Sequence, residues 1–431
     1  MLALIPSITS ALALAVLLAL IYAYRRISSN RELASTAAYY GCEECPKYPR
    51  NLESELLKAR TEASNNGTLM DLYMAQFALY GKIWEENLCG SRIINTMDLR
   101  NVQHVISAMT FVDWGKESTA YAEPFFGRGI FSLNGVEWRH ALKVVVPAFS
   151  KTEGSLDVDS MVRHVDRFIS MIPRDGSTTD IELPLRKLFL DSLTEFLLGE
   201  SIDSQIEGDP NHSADILHAL DDTLAGVEKR RQMTRFQRFL HNYDKIWKDA
   251  CRTVHSYIDI HVQRALREMP TTPEKAGHQS SARYLLLHSM AQHTPDPISL
   301  RFQVLQVFIP ARDTTAIMLS KAIFHLARTP DIWTQLRAES MALGDRRLTG
   351  EDVDKFNPLR WYEYDTEKQA QWQFVPFLGG PRICPAKQQV LTQAVYLLVR
   401  MTREFKRIEN GDPVEVLKES RNGVKVAFAA A

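Results

Sequence analysis

The stretch FVPFLGGPRICPA, residues 374–386, places a single cysteine between two glycines and a proline. Gly379 and Gly380 allow the backbone to bend and to approach a ligand closely. Pro385 suits the first turn of a helix, where its missing N–H is not needed. Cys384 is therefore expected at a helix N-terminus, where the macrodipole and the free amide N–H groups stabilise a thiolate.

Two kinds of chemistry fit the sulfur of Cys384. A thiolate held in this way suits a metal ion, and axial ligation of haem iron is one known use. A nucleophilic thiolate needs a histidine base close in space, and the sequence leaves that alternative open. The Gly-Gly-Pro-Arg approach favours the metal ligand.

A second candidate lies upstream in PARDTTAIML, residues 310–319. Asp313 and Thr314 place an acid beside a hydroxyl, a pair that can relay protons to an oxygen molecule. On its own, Asp-Thr-Thr in a helix is usually a polar stretch with a structural role. Only a cysteine stretch downstream favours the catalytic interpretation. Pro310 removes one hydrogen bond of the predicted helix and is expected to kink its axis.

Length and composition limit the classes of protein in which these candidates can occur. The 431 residues allow one large domain or two ordinary ones. A net charge of −1 excludes the bulk basicity of a nucleic-acid-binding protein. Five cysteines in so long a chain indicate a reducing compartment rather than a disulfide framework. Cys42 and Cys45 form a lone C-x-x-C, which lacks the second pair of a structural zinc site.

The N-terminal residues predict a membrane anchor. Residues 2–24 carry no charge, and Arg25 and Arg26 follow at once. This length suits one helix across a bilayer, and the positive-inside rule keeps the arginines cytosolic. A cleaved signal peptide, the rival interpretation, carries its positive charge before the apolar run. We therefore expect a transmembrane helix at 1–24 and a juxtamembrane linker at 25–50.

The remainder, residues 51–431, is expected to form one domain that is mainly α with minor β. Residues 84–98 alternate and predict a small hairpin, while the polar stretch 269–283 predicts a loop. Apolar residues at helical spacing predict helices at 53–63, 69–84, 183–200, 236–269, 282–293, 300–328 and 387–405.

The cysteine stretch resembles a family signature. FLGGPRICPA is similar to the cysteine loop of the cytochrome P-450 family, F-x-x-G-x-R-x-C-x-G, with Ala386 in place of the last glycine. The matching positions are Phe377, Gly380, Arg382 and Cys384. The resemblance implies that Cys384 is the axial thiolate of haem b. It also implies that Arg382 pairs with a haem propionate and that Phe377 shields the sulfur.

Two further stretches resemble the same family. PARDTTAIML is similar to the central-helix motif A-G-x-D/E-T-T, which implies catalytic proton delivery by Asp313 and Thr314. GVEWRHALKVVVPAFS, residues 135–150, resembles the W-x-x-x-R helix, with Leu142 at the arginine position. Trp138 and His140 match microsomal fungal members, and the resemblance implies that both bind the haem. Pocket lining, or packing between helices, is expected of four phenylalanines: Phe111, Phe125, Phe126 and Phe131.

One element of the family pattern is missing. DKFNPLRW, residues 354–361, resembles the segment before the cysteine loop, and Arg360 holds its structural arginine position. Only 70 positions separate Thr314 from Cys384, about half of the family spacing, and no E-x-x-R occurs between them. The E-x-x-R helix and part of the β region are absent near residues 349–350. In the family, the Glu and Arg of that helix form a buried network with the arginine at the Arg360 position. Leaving one charge of such a network unpaired typically costs about 3–5 kcal/mol.

The resemblance implies a haem-dependent monooxygenase of the fungal microsomal type, similar to alkane and fatty-acid hydroxylases. It implies electrons from an NADPH-cytochrome reductase, a flavoprotein, and insertion of one atom of O2 into a lipophilic substrate. That substrate is fatty-acid-like, alkane-like or a secondary metabolite. The expected location is the endoplasmic reticulum membrane, with a cytosolic catalytic domain and no nucleic-acid partner.

The alternative from another class is a non-catalytic, membrane-anchored remnant or incomplete gene product that does not hold haem productively. A lost exon or a misread intron boundary explains the missing E-x-x-R segment most simply.

Overall fold

A computed structural model describes most of the chain in two compact units, divided after Asp98. The described ranges are 8–42, 45–49, 53–88, 91–107, 119–150, 158–208, 213–268, 285–342, 372, 375–411 and 424–430. The segments expected to hold Phe111, Arg360, the 269–283 loop and the truncation near 349–350 lie outside them.

Trp84 is the centre of packing in the first unit. Its side chain is fully buried, and the rings of Tyr48, Phe77 and Tyr80 lie 5.6–6.3 Å from it. The predicted hairpin is confirmed, since β1 and β2 pair antiparallel. The elements of this unit are α1 (Ile8–Tyr39), α2 (Glu53–Asn65), α3 (Leu69–Tyr80), β1 (Ile83–Leu88) and β2 (Ser91–Thr96).

The first helix extends further than the sequence predicted. The uncharged run ends at Tyr24, but α1 continues through Arg25 and Arg26 to Tyr39, because the residues that follow include good helix formers. Residues 25–39, which the sequence assigned to a linker, are therefore helical. Among the described residues, no helix has a stretch long and apolar enough to cross a membrane. The predicted membrane-spanning helix thus finds no support there.

The second unit is mainly helical and contains one small three-stranded sheet. Its first elements are α4 (Leu99–Ser107), α5 (Glu123–Phe126), α6 (Gly135–Ser150), α7 (Val158–Met171), β3 (Asp175–Asp180), α8 (Glu182–Leu198), α9 (Ser213–Arg231), α10 (Arg235–His241) and α11 (Lys245–Glu268). They are followed by α12 (Leu285–His293), α13 (Pro297–Leu326), α14 (Pro330–Ala342), a 3-10 turn (Gly380–Arg382), α15 (Lys387–Glu404), β4 (Phe405–Asn410) and β5 (Lys425–Ala430).

The central helix α13 connects two hydrophobic clusters. Its first half, through Ile309, belongs to a cluster with residues of α6, α8, α9, α11 and α12. Its second half, from Ala316, belongs to a cluster with residues of α7, α8, α14, α15 and the sheet. The prediction of a helix over 300–328 is confirmed, and the Asp-Thr-Thr motif lies between the two clusters. Pro310 is inside the helix, as the sequence required.

The three-stranded sheet joins distant parts of the chain. β5 is the middle strand and pairs antiparallel with β3 on one side and β4 on the other. Phe405 on β4 and Phe428 on β5 are fully buried, and their rings lie 4.7 Å apart. The sheet therefore fixes the end of α15, which runs directly into β4.

One predicted helix is in fact two. The stretch 236–269 is broken at Asn242–Asp244, so that α10 and α11 are separate. Thr234 and Gln237 form a capping box at the start of α10, and Asp244 accepts a hydrogen bond from the backbone N–H of Trp247 at 3.3 Å. These local bonds stabilise two helix starts where the apolar periodicity alone indicated one.

Candidate haem-thiolate site

The cysteine loop is a tight turn packed against α4. Leu378 and Gly380 both have positive φ angles, +58° and +60°. A Cβ on Gly380 would lie 2.7 Å from the carbonyl oxygen of Ile106, so only glycine fits there. The backbone N–H of Cys384 donates to the carbonyl of Phe377 at 2.9 Å, which closes the loop. The sequence motif therefore reflects backbone geometry at both glycine and cysteine positions.

The sulfur of Cys384 is half-buried just before α15. Burial raises the pKa of the Cys384 thiol, while hydrogen bonds from the backbone of Ala386 and Lys387 act in the opposite direction. The sequence predicted that the helix terminus would favour the thiolate, and those two backbone donors are its contribution. Burial outweighs them, so the pKa of the thiol is raised on balance.

Arg382 connects the cysteine loop to α6 and the turn before it. Its guanidinium donates to the carbonyls of Ile130 at 3.2 Å and Leu133 at 2.9 Å, and to Asn134 Oδ1 at 3.3 Å. The guanidinium also lies over the ring of Trp138, 4.4 Å from its centroid. Burial lowers the pKa of Arg382 to about 10. A partly desolvated cation of this kind suits an anionic group of a ligand.

Of the two residues predicted on α6, only Trp138 reaches this cluster. Trp138 is buried and contacts Arg382, whereas His140 is exposed. Residues two apart on a helix point about 200° apart, so both cannot face the same side. The structure thus brings Arg382 of the cysteine loop into contact with Trp138 and leaves His140 on another face of α6.

The acid and hydroxyl of α13 have separate environments. Thr314 is exposed, and its hydroxyl donates to the carbonyl of Pro310 at 2.7 Å. Asp313 is largely buried, and burial raises the pKa of its carboxyl, against the opposing effect of Arg312. Arg312 Nε lies 3.1 Å from Asp313 Oδ1. The carboxyl therefore holds its proton to a higher pH than an ordinary aspartate.

Arg312 was not singled out from the sequence, where it occupies the variable position of the motif. Its side chain is 1% exposed, and it donates to Asp221 of α9 at 2.9 Å. The arginine therefore contacts two carboxyls, one on its own helix and one on α9. Asp221 lies 91 residues away in the chain, so no local pattern in the sequence indicated that it pairs with Arg312.

Gln306 is a second residue that the sequence did not reveal. It is buried on α13 and bonds to the segment Phe126–Asn134, which we call the bridging segment. The expected pocket phenylalanines near this segment differ in their surroundings. Phe125 is fully buried and stacks on His255, whereas Phe131 is 55% exposed.

The residues at the cysteine loop fit a haem group in their chemistry. Cys384 offers one sulfur that accepts backbone hydrogen bonds, as an iron-bound thiolate requires. Arg382 offers a desolvated cation for an anionic substituent, and Trp138 offers an aromatic surface beside it. Gly380 leaves no room for a side chain at the loop.

Comparison with known proteins identifies the family of the chain. The profile described as Cytochrome P450 matches residues 55–355, well over half of the chain. The chain therefore belongs to the cytochrome P450 family, whose members are haem monooxygenases. The match ends before the cysteine loop, so the assignment of Cys384 rests on its motif and geometry.

Three fungal relatives illustrate the likeness. Cytochrome P450 monooxygenase apdE of Emericella nidulans is 27% identical, over 90% of this chain and 89% of its own length. Cytochrome P450 monooxygenase iccC of Talaromyces variabilis is 27% identical, over 94% and 95%. Cytochrome P450 52A12 of Debaryomyces hansenii is 27% identical, over 83% and 85%.

The lengths of these alignments bear on the missing element. The alignment with the Emericella relative extends over 474 residues and that with the Talaromyces relative over 491, although this chain has 431. Both relatives therefore carry residues for which this chain has no counterpart.

Proposed function

We propose that this chain is a haem b monooxygenase in which Cys384 would ligate the haem iron and Arg382 and Trp138 would hold the haem. The half-buried sulfur of Cys384, two residues after the arginine that lies over Trp138, carries the proposal. Phe377 and Gly380 shape the loop around the sulfur. His140, on another face of α6, is a weaker candidate for contact with the haem.

Haem, when bound, supplies the iron that activates dioxygen for insertion of one oxygen atom into the substrate. The backbone donors of Ala386 and Lys387 stabilise charge on the sulfur. Burial raises the pKa of the Asp313 carboxyl, which favours its protonated form. The Thr314 hydroxyl donates to the carbonyl of Pro310, which leaves the lone pairs of its oxygen able to accept a hydrogen bond. These two residues are proposed to move protons to the oxygen site.

The remaining partners are proposed from the family resemblance. We propose a flavoprotein NADPH-cytochrome reductase as the electron donor and a lipophilic substrate, either fatty-acid-like, alkane-like or a secondary metabolite. An endoplasmic reticulum location is proposed from likeness to microsomal fungal members alone. Titration of the haem-loaded chain with fatty acids of graded length, followed by haem absorbance, tests the substrate class.

The decisive experiment expresses this chain with haem supplied, reduces it and adds carbon monoxide. The wild-type chain is expected to show the red-shifted Soret band of thiolate-ligated haem, and Cys384→Ser is expected to lose it. Cys251→Ser is the matched control, because Cys251 is buried on α11, where burial raises its pKa to about 11. A wild-type chain without the band, or a Cys384→Ser chain that keeps it, contradicts the proposal.

The alternative proposal is a remnant or incomplete product that does not hold haem productively. Alignments longer than the chain favour it, because the relatives contain residues that this chain lacks. Arg360 would then stand without its usual E-x-x-R partners. Sequencing of the transcript separates the two cases: an E-x-x-R segment upstream of DKFNPLRW indicates a gene-model error, and its absence indicates a real deletion.

A further inference from the structure

Gln306 makes an unusual set of contacts for a core residue of a long helix. Its side chain is 1% exposed, and its amide oxygen accepts a hydrogen bond from the backbone N–H of Phe131 at 2.7 Å. Its amide nitrogen lies 3.1 Å from the carbonyl of Phe126 and 3.3 Å from that of Gly127. Both ends of one amide group are thus bonded to the backbone of the bridging segment, 175–180 residues away in the chain.

Glycines allow this close approach. A Cβ on Gly129 would lie 2.7 Å from the side-chain amide of Gln306. A Cβ on Gly127 would lie 2.1 Å from the ring of Phe302, one turn earlier on α13, and Gly127 also has a positive φ of +58°. The bridging segment is therefore built to pack its backbone directly on α13.

The shape of the segment and its placement have different causes. Ser132 stabilises the turn internally, since it accepts from the N–H of Gly129 at 2.9 Å and donates to the carbonyl of Gly127 at 3.2 Å. Gln306 bonds the same turn to α13. Removal of Gln306 should therefore release the turn from the helix without dissolving it.

The second half of the bridging segment is hydrogen-bonded to the cysteine loop. Arg382 donates to the carbonyls of Ile130 and Leu133, on either side of Phe131. Phe131 lies between these two acceptors and bonds to Gln306 through its N–H. A single short segment therefore connects the central helix to the arginine of the cysteine loop.

We propose that Gln306 is a positioning residue that sets the placement of the bridging segment, and through it the product selectivity of the enzyme. The part that concerns selectivity rests on the proposed function. The part that concerns placement does not, because every contact in the argument lies within the chain itself. Gln306 acts through Phe126 and Phe131, the expected pocket residues that the segment carries.

The first test measures amide hydrogen exchange of the full chain without haem. Gln306→Met, which is nearly isosteric, should raise the exchange rate of the Phe131 amide by roughly tenfold, the effect of one lost buried hydrogen bond. Gln303→Met is the matched control: Gln303 is also buried on α13, and no hydrogen-bond partner of its amide oxygen lies among the described residues. Equal Phe131 exchange in the two variants overturns the proposal.

A second variant keeps the test decisive if Gln306→Met fails to fold. Gly129→Ala pushes a methyl group against the Gln306 amide and should raise Phe131 exchange in the same way. A Gly129→Ala chain that folds and keeps wild-type protection at Phe131 contradicts the assignment.

The haem-loaded enzyme supplies the test of selectivity. Gln306→Met should change the ratio of products oxidised at neighbouring positions, while haem content stays at the level of Gln303→Met. An unchanged product ratio, together with faster Phe131 exchange, overturns the role in selectivity and leaves the role in placement. A chain that shows the exchange effect but binds no haem refutes the proposed function alone.

Discussion

Arg382→Met tests how the cysteine loop is attached to the rest of the unit. Methionine keeps the stem of the side chain and removes the guanidinium. Two hydrogen bonds to backbone carbonyls and the contact with Trp138 are together worth about 3 kcal/mol. Desolvation of the half-buried cation offsets about 1–2 kcal/mol of this, after discount for solvent screening. The free energy of unfolding should therefore fall by only about 1–2 kcal/mol in the haem-free chain.

The effect on haem binding should be larger than the effect on folding. An anionic substituent of haem would add a charge-assisted hydrogen bond worth about 1.5–3 kcal/mol. Its loss lowers haem affinity by roughly tenfold to a hundredfold. Urea unfolding followed by circular dichroism measures the first quantity, and haem titration followed by absorbance measures the second. Arg139→Met, at an exposed position on α6, is the control for loss of a surface charge.

Two results would refute this reasoning. A haem affinity in Arg382→Met equal to that in Arg139→Met means that Arg382 does not contact the haem. A loss of unfolding free energy well above about 3 kcal/mol in the haem-free chain means that desolvation of the cation was overstated. Either outcome is measurable without turnover of a substrate.

Two further predictions concern protons. Burial lowers the pKa of His255, whose Nε2 donates to the carbonyl of Phe125. As the pH falls below the ordinary histidine pKa, the unfolded chain therefore takes up a proton before the folded chain does. The unfolding free energy should therefore decrease between about pH 7 and pH 5. In urea titrations, His255→Gln should make that decrease smaller. His218→Gln, at an exposed position on α9, should leave it unchanged. Thr314→Ala should lower kcat at least about tenfold and raise the hydrogen peroxide released per NADPH. Thr334→Ala removes an equivalent hydroxyl that bonds to the carbonyl of Pro330, and an equal loss there would contradict a role for Thr314 in proton transfer.

Local signals predicted the elements that hold the candidate site residues. α13 and α15 lie where apolar spacing placed them, and the hairpin of β1 and β2 follows the alternation of its residues. Cys384, Arg382 and Gly380 occupy the loop that their spacing indicated. These features depend on neighbours within a few residues of one another, which a sequence displays directly.

Contacts between distant residues escaped prediction. β3 pairs with β5 across more than two hundred positions, and the short stretches of β3, β4 and β5 have no pattern that requires a sheet. Gln306 and Arg312 bond to partners far away in the chain, so neither was recognisable as a site residue. The positions of Trp138 and His140 matched the family equally well, and only helix geometry separates them.

The division of α13 between two hydrophobic clusters affects how the chain can change. Residues up to Ile309 pack in the first cluster, those from Ala316 pack in the second, and the polar motif between them belongs to neither. A change of volume at Val304 is absorbed by different neighbours from one at Ile323, so the stability effects of two such substitutions should simply add. Substitutions can then accumulate in each hydrophobic cluster independently, while Asp313 and Thr314 keep their positions on the shared helix.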